Sequence, residues 1–98
     1  MYLKIHKTAQ GEVTAICDSE LLGQVLSEGA LKLDLRSHAG FYMGRKVSEQ
    51  EAVQALSGAQ SINLVGSKSL AAARKAGVDT GAAMRISGVP HLQAYRII

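Results

Sequence analysis

The segment that decides the fold reads Ser61-Ile62-Asn63-Leu64-Val65-Gly66-Ser67-Lys68-Ser69, followed by Leu70-Ala71-Ala72-Ala73. The apolar residues at 62 and 64 predict a short strand over residues 61–65, and Gly66 predicts the turn that ends it. Ser67 is a suitable N-cap for a helix that we expect to run to Ala76 and to end at Gly77. This strand-to-helix unit predicts a sheet with a helix packed against one face.

The flanking sequence predicts more strands. Residues 2–8 and 12–17 are rich in alternating or β-branched residues around the turn Ala9-Gln10-Gly11, which predicts an N-terminal hairpin. Residues 31–36 alternate leucine with charged residues, which is typical of a half-buried strand. Residues 41–47 predict a short strand broken by Gly44. Met84 and Ile86 predict another strand, and a turn over residues 87–90 leads to a last strand over residues 91–97.

Two further helices are expected. Asp18 is a suitable N-cap for a short helix that would end at Gly29 and bury Leu21, Leu22, Val25 and Leu26. Ser48-Glu49-Gln50-Glu51 is a capping box that begins a helix ending at Gly58. The predicted order is β-β-α-β-(β)-α-β-α-β-β. We therefore predict an α+β fold, with residues 1–98 forming a single small domain that has a mixed, mainly antiparallel sheet and about three helices.

Composition limits the classes of function. The chain has 98 residues and a net charge of +3, from 11 Lys and Arg against 8 Asp and Glu. This balance permits an anionic partner, although the cations are spread along the chain and form no stripe. The single cysteine excludes an internal disulfide and fits a reducing compartment. No apolar run approaches the ~20 residues that span a bilayer, so we expect a cytoplasmic protein with no membrane partner.

The first candidate site is the start of the third predicted helix. Gly66, Ser67 and Lys68 could hold a phosphate, because helix N-termini present free N–H groups and a positive partial charge. The segment is not a Walker A loop, since Ser67 separates Gly66 from Lys68 and residue 61 is serine. We favour the alternative, which is an ordinary turn followed by a capped helix.

The second candidate site lies in Gly88-Val89-Pro90-His91-Leu92-Gln93. His91 could titrate near neutrality and act as an acid, a base or a ligand. His91, Gln93 and Tyr95 would share one face of the last strand, because side chains alternate along a strand. We favour the alternative that these residues form an ordinary solvent-exposed face.

The third candidate site is Phe41-Tyr42-Met43-Gly44-Arg45-Lys46. Its two aromatic rings could stack on a nucleic-acid base while Arg45 and Lys46 neutralise phosphate. The equally weighted alternative places Phe41 in the core.

Cys17 fits a buried small residue better than a nucleophile. The three histidines and the cysteine lie far apart, so we predict no metal, no cofactor and no catalytic residue.

Several segments together resemble a known family. They are Cys17-Asp18-Ser19-Glu20-Leu21-Leu22-Gly23, Phe41-Tyr42 with Gly44, Asn63-Leu64-Val65-Gly66 and Ile86-Ser87-Gly88-Val89-Pro90-His91-Leu92-Gln93. In this order they resemble the small archaeal proteins of domain-of-unknown-function family four-two-four. The resemblance implies an archaeal origin, one small intracellular domain and no established activity. It transfers no catalytic residue.

Three functions are consistent with these features. The leading hypothesis is a non-enzymatic binding module for RNA or a ribonucleoprotein of the translation apparatus, based on the basic charge and the loop over residues 41–46. The second is a small-ligand protein or enzyme with a polar cleft formed by the turns over residues 63–66 and 88–93, which requires Asn63 to lie close to His91. The third is a protein-interaction subunit with an exposed apolar patch. The oligomeric state is not predicted.

Overall fold

A computed structural model describes residues 1–97 of the chain. The strands are β1 (Tyr2–Thr8), β2 (Gly11–Cys17), β3 (Val25–Glu28), β4 (Leu31–Asp34), β5 (Arg45–Lys46), β6 (Ser61–Val65), β7 (Met84–Ile86) and β8 (Val89–Tyr95). The helices are α1 (Ala39–Tyr42), α2 (Glu49–Ser57) and α3 (Ser67–Lys75), and a single 3-10 turn covers Ser19–Leu21. Within residues 1–97, no helix is long and apolar enough to cross a membrane.

Six strands form one sheet in the order β5-β1-β2-β6-β8-β7. The neighbours β2 and β6 run parallel, and every other neighbouring pair in this sheet is antiparallel. Strands β3 and β4 form a separate antiparallel hairpin. The predicted α+β class, with a mixed, mainly antiparallel sheet and three helices, is therefore confirmed.

Helices α2 and α3 pack on one face of the sheet, where the main core lies. Alternation along the central strands points Ile16, Ile62, Leu64 and Leu92 toward these helices. Full burial of each such side chain stabilises the fold by about 1.5–3 kcal/mol. Helix α2 begins with the predicted capping box, in which Ser48 and Glu51 satisfy each other's backbone N–H groups.

The opposite face of the sheet is only partly covered. The β3–β4 hairpin and α1 cover one end of it, where Leu35 and Tyr42 pack with Ala15, Cys17 and Val65. Strands β2, β6 and β8 alternate, so this face also carries Asn63 and its cross-strand partner Gln93. The uncovered part of this face, which we call the open face, carries both polar and apolar side chains and lies beside α1.

The predicted helix over residues 18–29 is wrong. Ser19–Leu21 form a 3-10 turn, and the chain then enters the β3–β4 hairpin. Gly23 has φ +92°, a left-handed conformation that ends any helical continuation. Leu26 lies opposite Leu33 in the hairpin, and both pack on the second core. Tertiary packing of alternate residues therefore overrides the local helical spacing of the leucines.

The predicted strand over residues 41–47 is also corrected. Its first part is the end of helix α1, and only Arg45 and Lys46 are extended, paired with Leu3 and Tyr2 at the edge of the sheet. The last strand begins at Val89, two residues before the predicted start, so the turn that precedes it is shorter than expected. The first difference separates the aromatic side chains of α1 from the basic side chains of β5, whereas the second leaves His91, Gln93 and Tyr95 on one face of the last strand.

Candidate ligand-binding cleft

Two segments that the sequence separates lie side by side. The N–H of Gly66 donates to the carbonyl oxygen of Pro90 at 2.9 Å. Asn63 on β6 lies directly opposite Gln93 on β8, and Val65 lies opposite His91. Residues 63–66 and 88–93, which lie mostly in the paired strands β6 and β8 and not in turns, are therefore neighbours, as the cleft hypothesis requires.

Asn63 is the centre of a buried hydrogen-bond network where α1 meets the open face. It is only 8% exposed, and its Oδ1 accepts a 2.6 Å hydrogen bond from the hydroxyl of Tyr42. The same oxygen accepts a 3.2 Å hydrogen bond from Nε2 of His91. A carbonyl oxygen has two lone pairs, so both are used and the amide is held in one orientation. Within residues 1–97, the Asn63 Nδ2 group makes no hydrogen bond, which leaves two N–H donors for a ligand.

Both donors to Asn63 are neutral. Burial lowers the pKa of His91 below its usual value, so the imidazole is uncharged near neutral pH and carries its proton on Nε2. Burial raises the pKa of Tyr42 to about 12, so its hydroxyl keeps its proton. The network therefore positions the amide without introducing a charge.

These residues line a cleft of about 300 Å³, which we call the inner cleft; its lining residues are Leu33, His38, Phe41, Tyr42, Asn63, His91 and Gln93. This volume is at the lower end of the range for small-molecule sites. In the described part of the chain, no Asp, Glu, Lys or Arg contributes to the lining. The inner cleft therefore suits an uncharged ring with polar edges better than a phosphate or a carboxylate.

Phe41 lines the inner cleft, and its ring packs against the rings of two neighbouring residues. Its ring stacks on the imidazole of His6 with centroids 4.3 Å apart and planes inclined by 11°. The Nε2 group of His6 donates to the carbonyl oxygen of Phe41 at 2.7 Å. Tyr42 packs edge-on against the same ring. Phe41 is thus half-buried: it packs against the second core and also forms an aromatic wall of the inner cleft.

A shallower groove continues from the inner cleft along the open face. This outer groove, of about 430 Å³, shares Phe41, Asn63 and Gln93 with the inner cleft and extends to Ser61 and Tyr95. A larger depression, of about 600 Å³, lies near the end of α2 and is lined by residues such as Ile5 and Glu12. We place the site in the inner cleft, because the hydrogen-bond network that fixes Asn63 lies there.

The structure divides the aromatic-basic segment into two parts. Phe41 and Tyr42 line the inner cleft, whereas Arg45 and Lys46 lie at the edge of the sheet in β5. Arg45 forms an ion pair with Glu51 at 3.1 Å, and the Lys46 ammonium lies 5.9 Å from the centre of the Tyr2 ring. The aromatic rings and the cations of this segment therefore do not form one patch.

The start of helix α3 is occupied by a carboxylate from the chain itself. Asp18 accepts hydrogen bonds from the N–H groups of Lys68 and Ser69, at 3.0 and 2.8 Å, and from the Ser69 hydroxyl at 2.7 Å. The predicted Ser67 cap is wrong, since Gly66 is the N-cap residue and Ser67 is exposed. Lys68 forms an ion pair with Glu20 at 3.3 Å. A phosphate at this position would meet the Asp18 charge.

Gly66 makes this arrangement possible. Its φ of +109° is unfavourable for any residue with a side chain, and a Cβ atom would lie 2.2 Å from Cγ of Asp18. Asp18 is 50 residues before Lys68 in the chain. No local sequence signal links the two, so the true cap of α3 could not be found from the sequence.

Cys17 is fully buried, and its Sγ donates to the carbonyl oxygen of Asp18 at 3.3 Å. Burial, together with the neighbouring Asp18 charge, raises the pKa of the thiol to about 12. The thiol is therefore protonated and packs as a small apolar residue. Sequence reasoning missed Leu33 and His38 as neighbours of the site, because only the packing of the hairpin and α1 layer brings them to the sheet. It also missed His6 of β1, because only the packing of α1 places Phe41 against it.

Comparison with known proteins supports the family assignment. Residues 5–97 match the family described as Protein of unknown function (DUF424). The fold is similar to the crystal structure of an uncharacterized conserved protein from Methanopyrus kandleri, with a TM-score of 0.82 and 28% sequence identity. That match covers 96% of this chain and 89% of the other. No curated protein matches the sequence. Because the family pattern spans nearly the whole chain, the protein belongs to the DUF424 family.

Proposed function

We propose that this protein binds single-stranded RNA by accepting one unpaired base in the inner cleft. The observation that carries the proposal is the fixed amide of Asn63, whose oxygen is occupied by Tyr42 and His91 and whose N–H groups are free. Proteins recognise unpaired bases by stacking them on aromatic rings and by hydrogen bonding to their edges. The Phe41 ring and the amides of Asn63 and Gln93, which all line the inner cleft, are the groups suited to these two kinds of contact.

The absence of formal charge in the lining of the inner cleft favours a base over a phosphate as the inserted group. The net charge of +3 favours an anionic polymer as the molecule that carries the base. RNA meets both conditions, since its bases are uncharged and its backbone is anionic. A ribonucleoprotein of the translation apparatus, in the cytoplasm, is the partner that we propose within this class.

Binding can be tested by fluorescence anisotropy with a labelled, mixed-sequence single-stranded RNA and the same RNA annealed to its complement. We expect the single strand to bind and the duplex to bind much more weakly, because paired bases cannot enter the cleft. Since few cations adjoin the cleft, the slope of log K against log salt should be about −1.4 or shallower, the value for two phosphate contacts. Equal binding of the duplex would contradict base insertion.

A matched pair of variants tests the location of the site. Gln93 is exposed and lines the inner cleft, whereas Gln54 is exposed on helix α2 beside the opposite face. Q93A should weaken RNA binding by about 5- to 100-fold, the usual effect of losing a base-edge contact. Q54A should leave binding unchanged. If the two variants behave alike, the inner cleft is not the site.

A free heteroaromatic molecule, such as a nucleoside, is the second candidate. It is favoured by the size of the inner cleft, about 300 Å³, and by the buried network around Asn63. Calorimetric titration with nucleosides and nucleoside monophosphates distinguishes the two candidates. Micromolar binding of a nucleoside, with no gain from an attached RNA strand, would favour the small-molecule function over the RNA function.

A further inference from the structure

We propose that the outer groove is a second base-binding subsite, in which the Tyr95 ring stacks on the nucleotide adjacent to the one in the inner cleft. This inference rests on the proposed function and adds to it the length and path of the bound strand. The outer groove shares Phe41, Asn63 and Gln93 with the inner cleft, so a chain can pass from one to the other without leaving the protein surface.

Tyr95 lies where a second base would fall. Gln93 and Tyr95 are two residues apart on β8, so both point to the open face, and their Cα atoms are about 7 Å apart. One nucleotide of an extended strand spans a distance of this order. When one base contacts Gln93 in the inner cleft, the adjacent base of the strand therefore lies beside Tyr95.

The exposure of Tyr95 is unusual for an aromatic residue in this protein. Its side chain is 70% exposed, whereas Tyr42 is 3% exposed and Phe41 is partly buried. Within residues 1–97, its ring stacks on no other aromatic ring. An exposed ring beside a groove that has no charged side chain in its lining is suited to stacking, which is tolerant of base identity.

The remaining lining of the outer groove fits an RNA strand. Ser61 lies directly opposite Tyr95 in the β6–β8 pair and offers a hydroxyl, and Val13 on β2 offers an apolar surface. Ser61 could contact the ribose or the base edge while the ring covers the base face. The net charge of +3 complements the phosphate that joins the two nucleotides.

The experiment compares the four homodinucleotides ApA, CpC, GpG and UpU with the corresponding mononucleotides by calorimetric titration. We expect at least one dinucleotide to bind about 5- to 100-fold more tightly than its mononucleotide, the effect of one base–aromatic stack. Removal of one base from that dinucleotide, leaving an abasic sugar, should abolish this increase in affinity. Equal affinity of mononucleotide and dinucleotide would overturn the second subsite and leave the proposed function intact.

Variants of Tyr95 test whether its ring is responsible for the higher affinity of the dinucleotide. Y95A should remove the advantage of the dinucleotide without changing mononucleotide affinity, and Y95F should retain it, because stacking needs the ring and not the hydroxyl. I5A is the control, since Ile5 is an exposed apolar residue that lines neither groove and lies beside the opposite face of the sheet. An equal loss of mononucleotide affinity in Y95A would overturn the inference. Failure of all eight ligands and of single-stranded RNA to bind would overturn the proposed function as well.

Discussion

The hydroxyl of Tyr42, on the short helix α1, donates a 2.6 Å hydrogen bond to Oδ1 of Asn63, on the central strand β6. The bond connects α1, which belongs to the layer beside the open face, to the sheet itself. It also fixes the direction in which the Asn63 amide presents its free N–H groups. A single buried contact thus contributes both to the packing of α1 and to the chemistry of the inner cleft.

Replacement of Tyr42 by phenylalanine should lower the free energy of unfolding by about 1–2 kcal/mol, because the change removes a buried hydrogen bond and keeps the ring. Urea denaturation measures the change. Y2F is the matched control, since the Tyr2 hydroxyl makes no hydrogen bond within residues 1–97, and its effect should stay within about 0.5 kcal/mol. Equal effects of the two variants would show that the Tyr42–Asn63 bond does not stabilise the fold.

His91 should be neutral and protonated on Nε2 at neutral pH, because it donates from Nε2 to Asn63 and because burial lowers its pKa below 6.5. Nitrogen-15 NMR of the imidazole reports the tautomer, and a pH titration reports the pKa. A resonance pattern with the proton on Nδ1, or a midpoint above 6.5, would contradict the network.

The lowered pKa of His91 also predicts how stability depends on pH. Below about pH 6.5 the unfolded chain takes up a proton at this position while the folded protein does not, so stability falls as the pH falls. The loss stops once the pH is below the pKa in the folded state. H91Q keeps a donor toward Asn63 but does not titrate, so its unfolding free energy should decrease less between about pH 7 and pH 5. Parallel pH profiles for the two proteins would refute this role.

Asp18 should be one of the residues most sensitive to substitution. D18A removes the carboxylate that accepts three hydrogen bonds at the start of α3, which should cost about 2–4 kcal/mol of unfolding free energy. D79A is the control, because Asp79 is exposed and accepts one hydrogen bond from Gly81. Its cost should be about 0.5 kcal/mol or less. Denaturation curves that coincide for the two variants would exclude a capping role for Asp18.

Cys17 should be inert to alkylation in the folded protein. Its pKa is raised to about 12 and its side chain is fully buried, so the reactive thiolate is scarce and inaccessible at neutral pH. Modification by iodoacetamide, followed by mass spectrometry, should proceed in denaturant and be slowed by at least about 100-fold without it. Rapid modification of the native protein would instead indicate an accessible, activated thiol.

Much of the architecture follows from the sequence, because its signals are local. Each of these signals depends on residues that are close together in the chain. They are the alternation in residues 2–8, 11–17 and 61–65, the capping box at Ser48 and the glycine after helix α3. The helix predicted over residues 18–29 is wrong because that prediction also depends on local spacing alone. The spacing of Leu22 and Leu26 fits one face of a helix, but it fits a hairpin equally well when another layer receives Leu26 and Leu33.

The sequence by itself determined the fold class, the two long helices, most of the strands and the two polar segments around Asn63 and His91. Only the tertiary structure decided that Tyr42 joins them, across 21 residues to Asn63, while Arg45 and Lys46 point elsewhere. It also decided that the Asp18 carboxylate caps the start of α3, at the position of the candidate phosphate site. These contacts depend on strand order and on which layer covers which face. Strand order depends on the burial of the whole core, and the local periodicity of apolar residues in the sequence does not reveal it.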